Sequence, residues 1–396
     1  MVGKWHLKSD PTGFDYWEIL PGQGQYYQPD FRTAEGKQKH AGYVTDITTD
    51  LALEWLQSGR DLDKPFLLMC QQKAPHRTWL PGPQHLDMYD DVTIPEPETL
   101  FDDYATRSSA AGMQEREIDR HMYMHYDLQV RPLDGQRASK GPDSWAHSLT
   151  ERMDAQQLAV WNTAFEAENQ SFREAQLQGR DLVRWKYQRY IKNYLRCIAS
   201  VDDNIGRMLD YLEESGLAEN TIVVYRSDQG FFLGEHGWYD KRWMYEPSLR
   251  MPFIVRWPGV VEPGARNIDL AQNVDFAQTF LDAAGVEAPD DMQGRSLLPL
   301  LRGEHPSDWR DELYYEYFEV GIHAVEPHRG VHTDRYKLMH MHRVEEWELY
   351  DLEVDPIEVN NRINDADLAG VLADLKDRLG RLQVLYGSAE RRGDPG

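Results

Sequence analysis

Three short apolar runs stand out along the chain: PFLLM at 65–69, TIVVY at 221–225 and PFIV at 252–255. Each is bounded by turn formers or charge and is too short to make a helix with its own core face, so each reads as a buried strand. Between them, apolar residues recur at helical spacing. One such stretch runs from residue 45 to about 57 and stops near Gly59. A longer one runs from about 181 to 214 and stops at Gly216, and a third runs from 273 to 284 and is closed by Gly285. Strand and helix in alternation predict an α/β fold with a mainly parallel sheet flanked by helices.

Two regions depart from that alternation. Residues 100 to about 180 read as polar helices around the turn-rich stretch 131–145, a helical insertion over the sheet edge or the site. From Glu312 onward, the segments 312–318, 329–339 and 346–352 read as antiparallel strands, with an amphipathic helix at about 365–385 after them. The expected organisation is a large α/β domain over 1–308 and a small carboxyl-terminal α+β subdomain over 309–396, with a frayed tail from 388.

Charge narrows the partners. Forty-three Lys and Arg against 67 Asp and Glu give a net charge of -24. So acidic a surface repels polyphosphate, which argues against nucleic acid as a partner. A few Lys and His side chains can still make a local pocket for a small anion. With only Cys70 and Cys197, a disulfide framework is excluded. No run of about 18 apolar residues occurs, so no membrane span is expected. The first residues, MVGKWHLKSD, lack the apolar core of a signal peptide.

Three loops carry chemistry. In Gly3-Lys4-Trp5-His6, an extended backbone puts Lys4 and His6 on one face, a cation beside an imidazole that suits an oxyanion. Lys73-Ala74-Pro75-His76-Arg77 follows the PFLLM strand, and ligands of open α/β sheets bind at carboxyl strand ends. Ser227-Asp228-Gln229-Gly230 follows TIVVY and offers a carboxylate and an amide carbonyl, hard oxygen donors suited to Ca²⁺ or Mg²⁺, with Lys241 a short loop later. Taken singly, each loop could equally be a solvated turn. Together they aim Lys, His, His, Asp, Gln and Lys at one sheet edge.

On these strings the chain resembles a type I sulfatase of the alkaline-phosphatase-like superfamily, in the branch of the N-acetylglucosamine-6-sulfatases. The resemblance rests on GKWHL at 3–7, KAPHR at 73–77 and SDQGFFLGEHGWYDKRWMYE at 227–246. MPFIVRWPGV at 251–260, MQGRSLLPLL at 292–301 and RYKL with ELYDLEVDP between 335 and 356 extend it. The resemblance implies hydrolysis of sulfate esters through a formylglycine, matured from Cys or Ser in a Cys/Ser-X-Pro-X-Arg motif by a formylglycine-generating enzyme, and a Ca²⁺ ion. It implies Asp228 and Gln229 as calcium ligands and Lys4, His76 and Lys241 as contacts to sulfate oxygens. His6 would sit on the nucleophile side, and His76 or Lys241 would protonate the departing sugar oxygen. His236 lies in a matching string without an assigned role.

The implied substrate is a sulfated amino sugar of a glycosaminoglycan or mucin glycan, met in the periplasm or outside the cell. His323 and His328, in a segment linking two predicted strands, are the expected sugar contacts, against the alternative of a solvated hairpin loop. The chain departs from the family pattern in two places. No Cys/Ser-X-Pro-X-Arg motif occurs: Cys70 is followed by Gln-Gln-Lys and Cys197 by Ile-Ala-Ser. The strand that carries the family's paired Asp metal ligands is not found before Gly3, so a missing amino-terminal segment and an inactive isolated chain are expected. His332 also stands where the related pattern has Arg. A non-catalytic pseudo-sulfatase that binds sulfated glycans, or a phosphatase or phosphodiesterase of the same superfamily, are the alternatives.

Overall fold

Val2–Trp5 forms the first strand, β1, of a sheet completed by β2 (Glu18–Pro21), β3 (Asp30–Thr33), β4 (Gly36–Lys39) and β5 (Cys70–Gln71), in the order β4-β3-β2-β1-β5. The computed structural model describes residues 1–133, 140–321 and 323–388. The sheet is mixed. β1 runs parallel to both β2 and β5, while β3 and β4 continue it antiparallel. Of the apolar run at 65–69, only its carboxyl end and the two residues beyond join the ladder, where the Val2 N–H donates to the Met69 carbonyl at 2.8 Å. Gly3 is required at this crossing. Its φ is +100°, and a Cβ there would lie 2.0 Å from the Gln71 carbonyl oxygen.

The helix Val44–Glu54 buries Val44, Ile47 and Leu51 at helical spacing, and the 36-residue helix Gly179–Glu214 buries Val183, Tyr187, Tyr190, Cys197 and Val201. Asn204 joins the two by donating to Asp46 at 2.7 Å. The long helix ends at Gly216, whose φ of +72° suits a left-handed stop. Within the expected insertion, the helix Ala155–Ala175 starts on a capping box between Asp154 and Gln157. Residues 134–139 of the turn-rich stretch, and the tail beyond 388, lie outside the described residues.

The chain divides into two compact units, Met1–Pro97 with Ile118–Ala218, and Glu98–Glu117 with Glu219–Gly396. The boundary expected near 308 falls within the second of these units. In the second unit Phe232, Trp238, Trp243 and Tyr245 share one core with Met339, Met341 and Tyr350, and a cut at 308 would pass through it.

The second unit holds β6 (Val223–Arg226) paired antiparallel with β9 (Phe253–Arg256), and a hairpin of β7 (Phe232–Leu233) and β8 (Tyr239–Asp240). Its antiparallel sheet is β10 (Glu312–Tyr317), β11 (His328–Thr333), β12 (Tyr336–Met341) and β13 (Glu346–Asp351), in that order. The segment 329–339, expected as one strand, is a hairpin. Thr333 ends β11, and its hydroxyl accepts the Tyr336 N–H at 2.9 Å, closing the turn over Asp334 and Arg335. The helix Ala369–Leu385 covers one face of this sheet, with Leu375, Leu379 and Leu382 against Val331, Leu338 and Leu349. Among the described residues, no helix is long and apolar enough to cross a membrane.

Candidate active site

In the first unit, parallel pairing of β1 with β5 opens both carboxyl ends on the same sheet edge. The Lys4–His6 segment and the 73–77 loop therefore leave the sheet side by side. Lys4 is half-buried and His6 is exposed. The second loop is anchored rather than solvated. The buried Lys73 ammonium sits 4.4 Å from the Tyr26 ring centroid, and the Tyr26 hydroxyl donates to the His76 carbonyl at 2.7 Å. His76 Nδ1 lies 2.6 Å from the Arg77 carbonyl oxygen, which makes Nδ1 the donor and puts the neutral ring's lone pair on Nε2. Arg77 makes a two-pronged pair with the fully buried Asp127, at 2.6 and 2.7 Å. Lys73 and Asp127 were not singled out from the sequence. Lys73 stands in the matching string, but nothing in the pattern links Asp127 to Arg77.

In the second unit, Asp228 and Gln229 follow β6, Asp228 exposed and Gln229 half-buried. Gly230 makes the turn behind them possible, since a Cβ would meet the Arg250 and Pro247 carbonyl oxygens at 2.2 and 2.3 Å. Its N–H instead donates to the Ser248 carbonyl at 3.0 Å. Lys241 follows β8 with its side chain 12% exposed, its Nζ 5.5 Å from the Phe231 ring centroid and 3.6 Å from Asp240 Oδ1. Burial lowers the Lys241 pKa. The Asp240 carboxylate opposes the fall, Arg242 adds to it, and Asp228 opposes it more weakly. Lys241 and Asp228 are thus within electrostatic reach of each other. Asp240 and Arg242, on either side of Lys241, have φ values of +76° and +91°, and Arg116 also faces the Asp240 carboxylate. Arg116, Asp240 and Arg242 were not singled out from the sequence.

Calcium takes six to eight oxygen ligands, and Asp228 with Gln229 offers at most three side-chain oxygens. Among the described residues, no group of three or more His, Cys, Asp or Glu could hold a metal ion. The residues present do not by themselves fit the ion, and no chemical step is derived through it.

Four histidines of this unit differ in their surroundings. His328 is not in a linking loop. It opens β11 fully buried, stacked between Trp243 and Tyr315 at 5.0 and 5.5 Å. Its Nδ1 bonds the Glu326 carbonyl and its Nε2 accepts the Met244 N–H, while burial pushes its pKa down to about 4. With both nitrogens taken and no exposed face, it is a core residue and not a sugar contact. His323 is partly exposed and pairs with Glu319, whose carboxylate also accepts from Tyr317. The Arg242 charge acts on both members of that pair, which places them in reach of the residues around Lys241. His236 is buried and held 3.0 Å from the Asp102 carboxylate. His332 pairs with Glu246 at 2.9 Å inside the fold.

Comparison with solved structures finds an enzyme in complex with its substrate D-glucosamine-2-N,6-O-disulfate, with a TM-score of 0.94 and 44% identity, covering all of this chain and 80% of that one. The fold is the alkaline-phosphatase-like one. The family described as "Sulfatase" matches residues 1–286, and "N-sulphoglucosamine sulphohydrolase, C-terminal" matches 234–384. An N-acetylglucosamine-6-O-sulfatase of Bacteroides thetaiotaomicron is 45% identical over 394 residues, 98% of this chain and 70% of that protein. The human N-acetylglucosamine-6-sulfatase is 26% identical over 328 residues, 81% of this chain. The chain spans about half the length of that human relative. The chain belongs to the sulfatase family, hydrolases of sulfate esters.

Proposed function

We propose that this chain serves hydrolysis of the 6-O-sulfate of a glucosamine-type sugar in a sulfated glycan. The observation that carries this reading is 45% identity, over nearly the whole chain, to a protein named for that sulfate position. Lys4, His76 and Lys241 contact sulfate oxygens and offset the charge that builds as the S–O bond breaks. His6 acts beside the nucleophile. His76 or Lys241 protonates the departing sugar oxygen, and the lowered pKa of Lys241 makes it the stronger acid of its type. Asp228 and Gln229 are the oxygen donors this chain offers to calcium, and His323 hydrogen-bonds the sugar. A formylglycine-generating enzyme matures the nucleophile of the whole protein, and the compartment is periplasmic or extracellular, as the family resemblance implies.

Calorimetric titration of the 396-residue chain tests the substrate reading. N-acetylglucosamine 6-sulfate is expected to bind more tightly than glucosamine 6-phosphate, and unsulfated N-acetylglucosamine to bind weakest. Tighter binding of the phosphate would favour a phosphatase instead. Equal affinity for all three would remove the sulfate reading.

A further inference from the structure

The strand end that carries Lys241 is braced by a segment from far earlier in the chain. The Tyr239 N–H donates to the Arg116 carbonyl oxygen at 2.9 Å, and Glu117 bridges Trp238 antiparallel. The Arg116 side chain reaches the same hairpin, with Nε 3.4 Å from Asp240 Oδ2. Arg116 is 9% exposed, and its Nε is buried without a hydrogen bond. Arg242 Nη1 bonds that same Oδ2 at 2.5 Å.

The other carboxylate oxygen, Oδ1, faces Lys241 at 3.6 Å, longer than a hydrogen bond. The Asp240 carboxylate is therefore divided. Arg242 bonds one oxygen with Arg116 beside it, and the Lys241 ammonium pairs with the other at a distance longer than a tight hydrogen bond. An Asp and a Lys left to themselves at a half-dry site would close to a charge-assisted hydrogen bond. The closed ammonium would have fewer N–H groups for an incoming anion. Asp240 and Arg242 also hold left-handed backbone that residues with a Cβ rarely adopt, so their surroundings keep them there.

We propose that Arg116 is a positioning residue for Lys241. By facing Asp240 Oδ2 and fixing β8 through its carbonyl, it keeps the Lys241 ammonium open to a sulfate-sized anion. The proposal rests on the reading of Lys241 as a sulfate contact, and its test separates the two.

Inorganic sulfate is titrated calorimetrically into the 396-residue chain, with folding of each variant checked by circular dichroism. Arg116→Met is expected to weaken sulfate binding about fivefold or more, because Lys241 closes onto Asp240. Arg116→Lys keeps a cation on Oδ2 and is expected to recover most of that loss. In a Lys241→Met background, Arg116→Met should cost nothing further. If Arg116→Met does not fold, Arg116→Gln, which keeps a neutral N–H group facing Oδ2, takes its place and should show a smaller loss. Wild-type affinity in both Arg116→Met and Arg116→Gln would overturn the proposal. So would an equal loss with and without Lys241, which is what general charge removal produces. Unchanged affinity in Lys241→Met, or no binding by the wild type, would instead overturn the reading of Lys241, and the proposal with it.

Discussion

The Lys337 ammonium lies 2.6 Å from Glu358 Oε1 and 2.8 Å from Glu246 Oε1, with Lys337 and Glu358 sealed from solvent. One ammonium thus serves two carboxylates, and the two respond oppositely. Burial pushes Glu358 up to about 7, and His332 with Lys337 holds Glu246 down at about 2 despite partial burial. A carboxyl raised in the folded state takes up a proton on folding, so its contribution fades as pH climbs from about 4.5 to 7. A depressed carboxyl contributes above about 4.5 and loses that contribution as pH falls toward 2.

The pair should therefore give greatest stability near pH 5. Glu358→Gln, which can still accept from Lys337, should abolish the decline between pH 5 and 7. The wild type is expected to lose up to about 1 kcal/mol per pH unit there. Melting temperatures at pH 5, 6 and 7 for both proteins check this. Parallel curves would mean Glu358 is ionised throughout.

Removing one partner of the Arg77–Asp127 pair leaves a buried charge unanswered, since Asp127 has no solvent exposure. Arg77→Ala should cost about 3–5 kcal/mol of unfolding free energy, read from urea denaturation. Asp127→Asn with intact Arg77 should cost less, because the cation can reach water.

His323 and His328 should separate cleanly. His328→Ala removes a stacked ring and two hydrogen-bond partners from a closed core, at about 2–4 kcal/mol of stability. His323→Ala should leave stability within about 0.5 kcal/mol and weaken binding of N-acetylglucosamine 6-sulfate. Thermal melts and calorimetry on both variants give the two readouts. Equal melting temperatures would contradict the assignment of His328 to the core.

Much of this was legible because it is local. Apolar spacing marked the helices within a few residues, since a buried helix face repeats along the chain. The loops that carry the proposed site residues stood out because strand ends followed by Lys, His, Asp and Gln are chemically unusual. The rest depends on partners distant in sequence. Nothing near His328 distinguishes a buried strand residue from a loop residue, because Trp243 and Tyr315 supply its burial. Nothing near Arg77 announces Asp127. The hairpin inside 329–339 was missed because Thr333 and Asp334 interrupt a run that alternates well on either side.

Two further outcomes concern the chemistry of the isolated chain. The 396 residues contain no Cys/Ser-X-Pro-X-Arg motif, so no turnover of an aryl sulfate is expected, even beside a formylglycine-generating enzyme. A chromogenic assay decides it, and measurable product would require a different nucleophile.

Calcium should bind this chain weakly, since a hard cation with at most three protein side-chain oxygens must keep half or more of its shell as water. Calorimetry is expected to give an affinity no tighter than about millimolar, in the range of the weakest protein calcium sites. Micromolar binding would show that residues other than Asp228 and Gln229 complete the coordination.

The core shared by the β7–β8 hairpin and the carboxyl-terminal sheet limits how this region can be exchanged. Gly330 on β11 lies so close to Met244 that a Cβ there would sit 2.4 Å from the methionine sulfur. Met244 lies three residues after Lys241. Anyone grafting the terminal sheet of another sulfatase onto this chain to change its sugar preference would also replace the packing against Met244, three residues from the lysine proposed to contact sulfate. Altered recognition and altered chemistry would then arrive together, unless the graft carried its own hairpin with it.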